Sequence, residues 1–322
     1  LLRDYKMEKC FMFLGGGRNG KGKTLSLMKS FVGSENCSNL SLQTLEKDNF
    51  AIGELFSKMA NLAGDISDTA LKETGNLKEL TGRDMISAAR KFLNRISFQN
   101  YAKLIFAANN LPKTYDETLA FFNRWVLIDF VYTFLPQKEI DTLSETEKKR
   151  TKLRDEDIIV KITSKDELSG LLNWALDGLD RLLKQRDFSY SSSTKDVKNM
   201  WLRKSDSVRA FIMDCVDEAW GEHLSKEDFR KAYGEYCKKH KLKVQIDRSI
   251  KNTLERALGV TEQQVGIDGT TNRHRCWVGI KLKKDKLEEL GLVHLLGDKK
   301  EEAVLSGAYK IEINNSQTRL AK

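Results

Sequence analysis

The chain predicts an α/β fold with a mainly parallel sheet, followed by a smaller domain of helices and a β-hairpin. Three observations carry this prediction. Apolar runs alternate with helical patterns over residues 1 to 135, the arrangement of strand–helix–strand units. The first of those runs, Cys10 to Leu14, opens straight into the loop GGGRNGKGKT, after which LSLMKSFV reads as helix. Beyond residue 207 the order changes to three helical patterns and then two strand-like runs, which asks for a second core. At 322 residues the chain is long enough for both.

In the first part the expected strands are CFMFL (10–14), MANLAG (59–64), KLIFAAN (103–109) and WVLIDF (125–130). Residues 136–166 are highly charged and read as a connection; ELSGLLNWALDGLDRLL (167–183) has apolar positions at helical spacing. DFSYSSSTKD (187–196) is the best linker candidate, because polar, small residues there lack any apolar period. The expected division is therefore a first domain with a helical extension over 1–186, a linker over 187–202, a second domain over 203–284 and a tail over 285–322. In the second domain, helices are expected at 208–220, 226–240 and 248–258, with a hairpin around a Gly-rich turn in 265–282. Three helices followed by a hairpin is the winged-helix order. Trp174, Trp201, Trp220 and Trp277 read as core anchors.

Composition narrows the classes. Apolar residues make up 40% and charged residues 31%, the balance of a water-soluble globular protein, and no run is apolar enough to span a bilayer. A membrane partner is not expected. The five cysteines (10, 37, 215, 237, 276) are scattered without a CxxC pair, so neither a disulfide framework nor a zinc site is expected, and a reducing, cytoplasmic setting is. The chain begins at Leu1 without a signal peptide and reads as a piece of something longer. Net charge is +9, and its placement is informative: between Lys226 and Lys284 there are 15 Lys/Arg against 7 Asp/Glu. A polyanion such as DNA is the economical partner for that stretch.

The glycine loop carries the most specific chemistry. An apolar strand, a loop of glycines and a following helix bring backbone N–H groups and a positive helix end to one spot, which suits the phosphates of a nucleoside triphosphate. Two registers fit. In one, Gly17 to Thr24 forms the pattern Gly, four residues, Gly-Lys-Thr, with Lys23 on the phosphates and Thr24 on Mg²⁺. In the other, the pattern starts at Gly15 and ends at Gly20-Lys21, leaving Gly22 where the metal's hydroxyl would be. Hydrolysis needs more: an acid at a neighbouring strand end, which Asp65 supplies with Asp68 after it. KLIFAANNLP ends a strand in two asparagines, an amide able to orient water beside the γ-phosphate. FFNRW offers Arg124 ahead of a final strand, a cation able to reach another subunit's γ-phosphate.

Taken together, the glycine loop, the acid after a strand, LKELTGRD, the strand ending FAANNLP and FFNRWVLIDF resemble the superfamily 3 helicases. More narrowly they resemble the primase-helicase replication proteins of phages, archaeal plasmids and large DNA viruses, closely over residues 8–185 and more loosely into a C-terminal winged helix. The resemblance implies a P-loop, AAA+-like helicase domain. Family members read Gly-x-Gly-x-Asn-Gly-Lys directly after the strand, which lands on Gly15, Gly17, Asn19, Gly20 and Lys21 and favours Lys21 as the phosphate lysine. Arg18, Gly22, Lys23 and Thr24 complete the loop expected to hold ATP. Gly22 departs from the usual Ser/Thr, so Thr24 and Asp65 would hold Mg²⁺; Gly64 departs from the usual acidic pair before Asp65. Asn109 matches the sensor asparagine and Arg124 the arginine finger, which implies a ring, typically of six copies, with ATP between subunits.

Residues 80–100, LTGRDMISAARKFLNRISFQN, match the stretch that forms a DNA-contacting hairpin in the ring's channel. Its chemistry agrees independently: Arg83, Arg90, Lys91 and Arg95 gather there against Asp84, with Lys78 just upstream, and cations of this kind track phosphates without reading sequence. In the second domain Arg248, Lys251 and Arg256 lie on the candidate third helix, beside Asn252, and Arg273 and Arg275 flank His274 in the candidate wing, so duplex DNA is the expected partner there. The expected activity is that of an ATP-dependent DNA helicase module, acting on single- and double-stranded DNA, with an upstream primase-polymerase in the same longer chain. The alternative is a DNA-binding replication initiator ATPase that unwinds nothing.

Overall fold

The computed structural model describes residues 2–90, 93–190, 192–266 and 273–296. The chain divides between Asp206 and Ser207 into two compact units. The first is built on a parallel sheet of β1 (Cys10–Leu14), β2 (Cys37–Ser38), β3 (Ala60–Ala63), β6 (Lys103–Ala108) and β7 (Trp125–Asp129), in the order β2-β3-β6-β1-β7. Every pairing in it is parallel. A parallel sheet needs crossovers on its faces, and the chain supplies α1 (Lys21–Val32), α2 (Leu42–Lys47), α3 (Asn49–Ile52) and α4 (Gly75–Thr81).

Strand residues alternate between two cores, as the period of two requires. Cys10, Met12 and Leu14, with Leu104, Phe106 and Ala108, face the larger core; Phe11, Phe13, Ile105 and Ala107 face a smaller one under Leu25 and Met28 of α1. β4 (Met85–Arg90) and β5 (Leu93–Gln99) form an antiparallel hairpin beside the sheet, with Ile86, Ala88 and Phe98 buried. The stretch expected to form a hairpin thus forms one. α5 (Leu119–Phe122) precedes β7.

Residues 136–166, expected to be a plain connection, fold into short elements. β8 (Thr133–Leu135) pairs in parallel with β9 (Thr151–Leu153) around α6 (Gln137–Ile140) and α7 (Glu145–Lys148), and α8 (Ile158–Ile162) follows. α9 (Lys165–Gln185) takes up the expected amphipathic helix, but it buries no residue fully: Leu172, Leu176 and Leu183 are exposed and Trp174 is 73% exposed. Trp174 is therefore not a core anchor.

The expected linker is corrected as well. Within 187–202 the chain has already begun α10 (Thr194–Ser205), a helix started by a Ser193–Asp196 capping box. Its Trp201 is fully buried against Phe121 and Trp125, ring centroids 5.3 and 4.9 Å away, and Trp201 Nε1 donates to the Pro112 carbonyl at 2.9 Å. The helix belongs to the first unit, because an indole buried with its N–H satisfied holds it there.

The second unit contains α11 (Ser207–Cys215), β10 (Val216–Ser225), α12 (Lys226–His240), α13 (Asp247–Leu258), β11 (Thr261–Gly266), β12 (Arg273–Leu282) and α14 (Lys284–Glu289). Its sheet is antiparallel in the order β10-β12-β11, and Phe211, Phe229, Tyr233, Leu254 and Trp277 fill the core. The helix expected over 208–220 stops at Cys215. Val216–Ser225 pairs with β12 instead, since a strand partner outweighs a helical apolar period and Gly221 weakens helix. Pairing shifts register between Glu218 and His223, where Gly221 takes a φ of 83°, and Trp220 stands fully exposed in that interruption rather than in the core. The expected tail from 285 also contributes: Leu287 and Leu292 are buried in this core. The turn of the expected wing, 267–272, and the tail from 297 onward lie outside the described residues.

Candidate functional site

At the carboxyl end of β1 the chain leaves the sheet through Gly15. A Cβ there would collide with the Asn19 amide and sit 2.7 Å from the Phe130 carbonyl oxygen, so only glycine allows the close approach. Arg18 and Gly20 both adopt left-handed backbone, φ 57° and 89°, and Gly20 is the N-cap of α1. This turns the loop back on itself and starts the helix at Lys21. Alternation of this kind builds a concavity of N–H groups suited to an anion, with the helix dipole behind it.

Lys21 is 6% exposed, and its Nζ donates to the carbonyls of Gly15 and Gly16 at 2.7 and 2.9 Å, and to Asn19 Oδ1 at 3.0 Å. It also donates to Asn109 Oδ1 at 3.1 Å. Burial pushes the Lys21 ammonium below the usual lysine value, and the negative charge of Asp65 opposes that shift. Lys23, two residues on, is exposed. The structure thus folds Lys21 into the loop and leaves Lys23 in solvent. Thr24 Oγ1 donates to the Gly20 carbonyl at 3.1 Å, within the first turn. Gly22 is exposed with nothing packed against it.

The sheet order brings distant residues to this loop. Asn109 follows β6, the neighbour of β1, and Asp65 follows β3, one strand further. Asp65 holds a left-handed φ of 49°, a strained setting for a residue other than glycine, which costs on the order of 1 kcal/mol. On the other side, Phe130 N donates to the Leu14 carbonyl at 2.6 Å and Phe134 N to the Arg18 carbonyl at 2.7 Å. Arg18 in turn pairs with Glu139 at 2.5 Å. These ties from the chain after β7 are a part of the site that sequence reasoning missed; the apolar residues of 130–135 gave no period that separates a loop wall from a strand end.

Arg124 is not brought to the loop. It precedes Trp125, which pairs with Cys10 at the amino end of β1, whereas Asp129 pairs with Leu14 at the loop end. Strand steps of about 3.3 Å each place Arg124 roughly 20 Å from Gly15 along the sheet. Its Nε donates to Thr81 Oγ1 at 2.9 Å and its Nη1 to the Ala120 carbonyl at 2.5 Å.

The cations expected to meet DNA are distributed unevenly. Arg95 is exposed on β5 of the hairpin and Arg83 is exposed in the turn just before β4; Lys91 and the Arg90 side chain lie outside the described residues. Lys78 is not a free contact, since it pairs with Asp116 at 2.6 Å. Asp116 also accepts from Thr74 and Thr118. Burial alone would raise the Asp116 carboxyl, but Lys78 and those donors outweigh it and hold it well below the usual carboxylate range. In the second unit Arg248, Lys251 and Arg256 are exposed on α13, opposite its buried Ile250 and Leu254, and Arg273 and Arg275 are exposed on β12. Glu262 lies near several cations there: Lys226 at 3.1 Å, Arg275 at 3.8 Å and Lys251 at 3.9 Å.

One family match falls within the first unit. A family of unknown function (DUF5906) matches residues 13–124, a stretch that takes in Lys21, Asp65, Asn109 and Arg124. Putative helicase V13 of the Sputnik virophage is 23% identical over 227 residues, which cover 67% of this chain. The chain spans about 28% of the length of that relative. Two apo structures of the NrS-1 C-terminal region align with 85% of this chain and 67% of their own, at 15% and 11% identity and TM-scores of 0.33 and 0.38. Among the described residues, no helix is long and apolar enough to cross a membrane.

Proposed function

We propose that the first unit binds and hydrolyses ATP with Mg²⁺, and that this drives a DNA helicase of the superfamily 3 type. The observation that carries the reading is the convergence on Lys21: a buried ammonium held by the loop it would release on binding phosphates, with Asn109 and the Asp65 charge beside it. Four acceptors around one ammonium keep the cation at the loop, where exchanging carbonyl partners for phosphate oxygens would need only a short movement of its Nζ. Lys21 would bind the β- and γ-phosphates. Asn109 would orient the attacking water, and Asp65 with Thr24 would hold the metal. When bound, Mg²⁺ neutralises phosphate charge. The virophage relative, named a putative helicase, supports the same reading.

Arg124 lies too far from its own loop to touch a bound γ-phosphate, which supports a head-to-tail ring in which it serves the neighbouring copy. The hairpin with Arg83 and Arg95 would grip a single strand by its phosphates. The order α11, β10, α12, α13, β11, β12 supports a winged-helix reading of the second unit, in which α13 with its exposed cations would enter duplex DNA. Substituting Lys21 and Lys23 separately by alanine tests the site. Lys21→Ala should lower ATP turnover at least about 100-fold, while Lys23→Ala should stay within about threefold of the parent. The reverse pattern would place the site in the other register. Strand displacement on a forked duplex separates a helicase from an initiator that hydrolyses ATP and unwinds nothing.

A further inference from the structure

The order of the sheet dictates which way a triphosphate would lie across the loop. Asp65 and Asn109 follow β3 and β6, both on the same side of β1, and Lys21 leans toward them through its 3.1 Å bond to Asn109. The γ end, which needs metal and water, belongs on that side. The base must then leave toward β7, the last strand of the sheet.

An aromatic residue stands there. After β7 the chain folds back over the loop, and the Phe134 N–H bond to the Arg18 carbonyl at 2.7 Å fixes where its side chain begins. Phe134 Cε2 lies 3.5 Å from the point a Cβ on Gly20 would occupy, so the ring sits at the start of α1, and Phe134 is 36% exposed. β8 is held in turn by β9, with Phe134 opposite Lys152, and the Lys152 ammonium lies 5.4 Å from the Tyr132 ring. The phenyl ring is thus fixed by its backbone at the mouth of the glycine loop and is partly exposed to solvent.

Resting on the ATP reading above, we propose that Phe134 is the platform on which the nucleobase stacks. A phenyl ring has no donor or acceptor for a base edge, so it selects a flat ring rather than a particular base. The substrate class is therefore nucleoside triphosphates at large, with purines favoured by their greater stacking area.

The test is calorimetric binding of ATP and of inorganic tripolyphosphate, each with Mg²⁺, to the parent, Phe134→Leu and Phe134→Tyr. Leucine keeps apolar packing at Gly20 while removing the ring, and tyrosine keeps the ring. Phe134→Leu should weaken ATP about tenfold, Phe134→Tyr should match the parent, and tripolyphosphate should bind all three alike. If Phe134→Leu weakens tripolyphosphate as much as ATP, the ring merely props the loop and the platform is overturned. If it leaves ATP unchanged, the base lies elsewhere and the platform falls for that reason. A parent protein that binds ATP no more tightly than tripolyphosphate overturns the platform alone, whereas one that binds neither overturns the triphosphate site itself.

Discussion

Truncating Arg124 to alanine should abolish ATP turnover in a way that a second, inactive variant restores. Arg124 sits level with the amino end of β1 and roughly 20 Å from the loop, far beyond one side chain's reach, so under the proposed ring the γ-phosphate it would serve belongs to another copy. An arginine supplied in trans is worth about 10³-fold or more in phosphoryl transfer. Its bonds to Thr81 and to the Ala120 carbonyl contribute to stability as well, about 1–2 kcal/mol together, which leaves the unit folded at room temperature. The decisive assay mixes Arg124→Ala with Lys21→Ala at equal amounts and measures ATP turnover per protomer. Each alone should be inactive. In a head-to-tail ring, random assembly puts an intact Lys21 against an intact Arg124 at about one interface in four, so about a quarter of parent turnover should return. Refutation would be an Arg124→Ala protein that loses nothing, or parent turnover per protomer unchanged on dilution to monomer.

Two further outcomes follow from the packing. Trp201→Ala should destabilise the first unit by about 3–5 kcal/mol in chemical denaturation, because it empties a fully buried site, while Trp174→Ala should stay within about 0.5 kcal/mol. Asp116 gives a pH signature. Its folded carboxyl titrates below its unfolded value, so its contribution is present above the ordinary Asp range and is lost as pH falls through the lower, folded value. Asp116→Asn should cost about 2 kcal/mol at pH 7, and melting curves of the two proteins should converge as pH drops below about 4. A gap that stays constant with pH would remove the ion pair from the explanation.

Much of the first unit was legible in the sequence because each strand of a parallel sheet is apolar on both faces. CFMFL, KLIFAAN and WVLIDF announce themselves without knowledge of partners, and the glycine loop and Asn109 follow from where those strands end. What was not legible depends on partners. Val216–Trp220 continues a helical spacing from 208 yet becomes strand, running on to Ser225, because β12 lies beside it. α10 looks like the far end of a polar linker until Trp201 meets Phe121 and Trp125. Trp174 and Trp220 resemble core residues in composition, yet exposure is decided by which face of α9, or which interruption of β10, carries them. Lys78 reads as a surface cation in isolation; only the fold brings Asp116 to it.

The wall between Gly15 and the Phe130 carbonyl leaves no slack where the sheet gives way to the loop. Even one added methyl would force the end of β7 and the loop apart, and Arg124 immediately precedes the other end of β7. If the proposed ring forms, position 15 would be a joint between two working surfaces, and altering it would disturb fuel binding at home and the reach toward the next copy together.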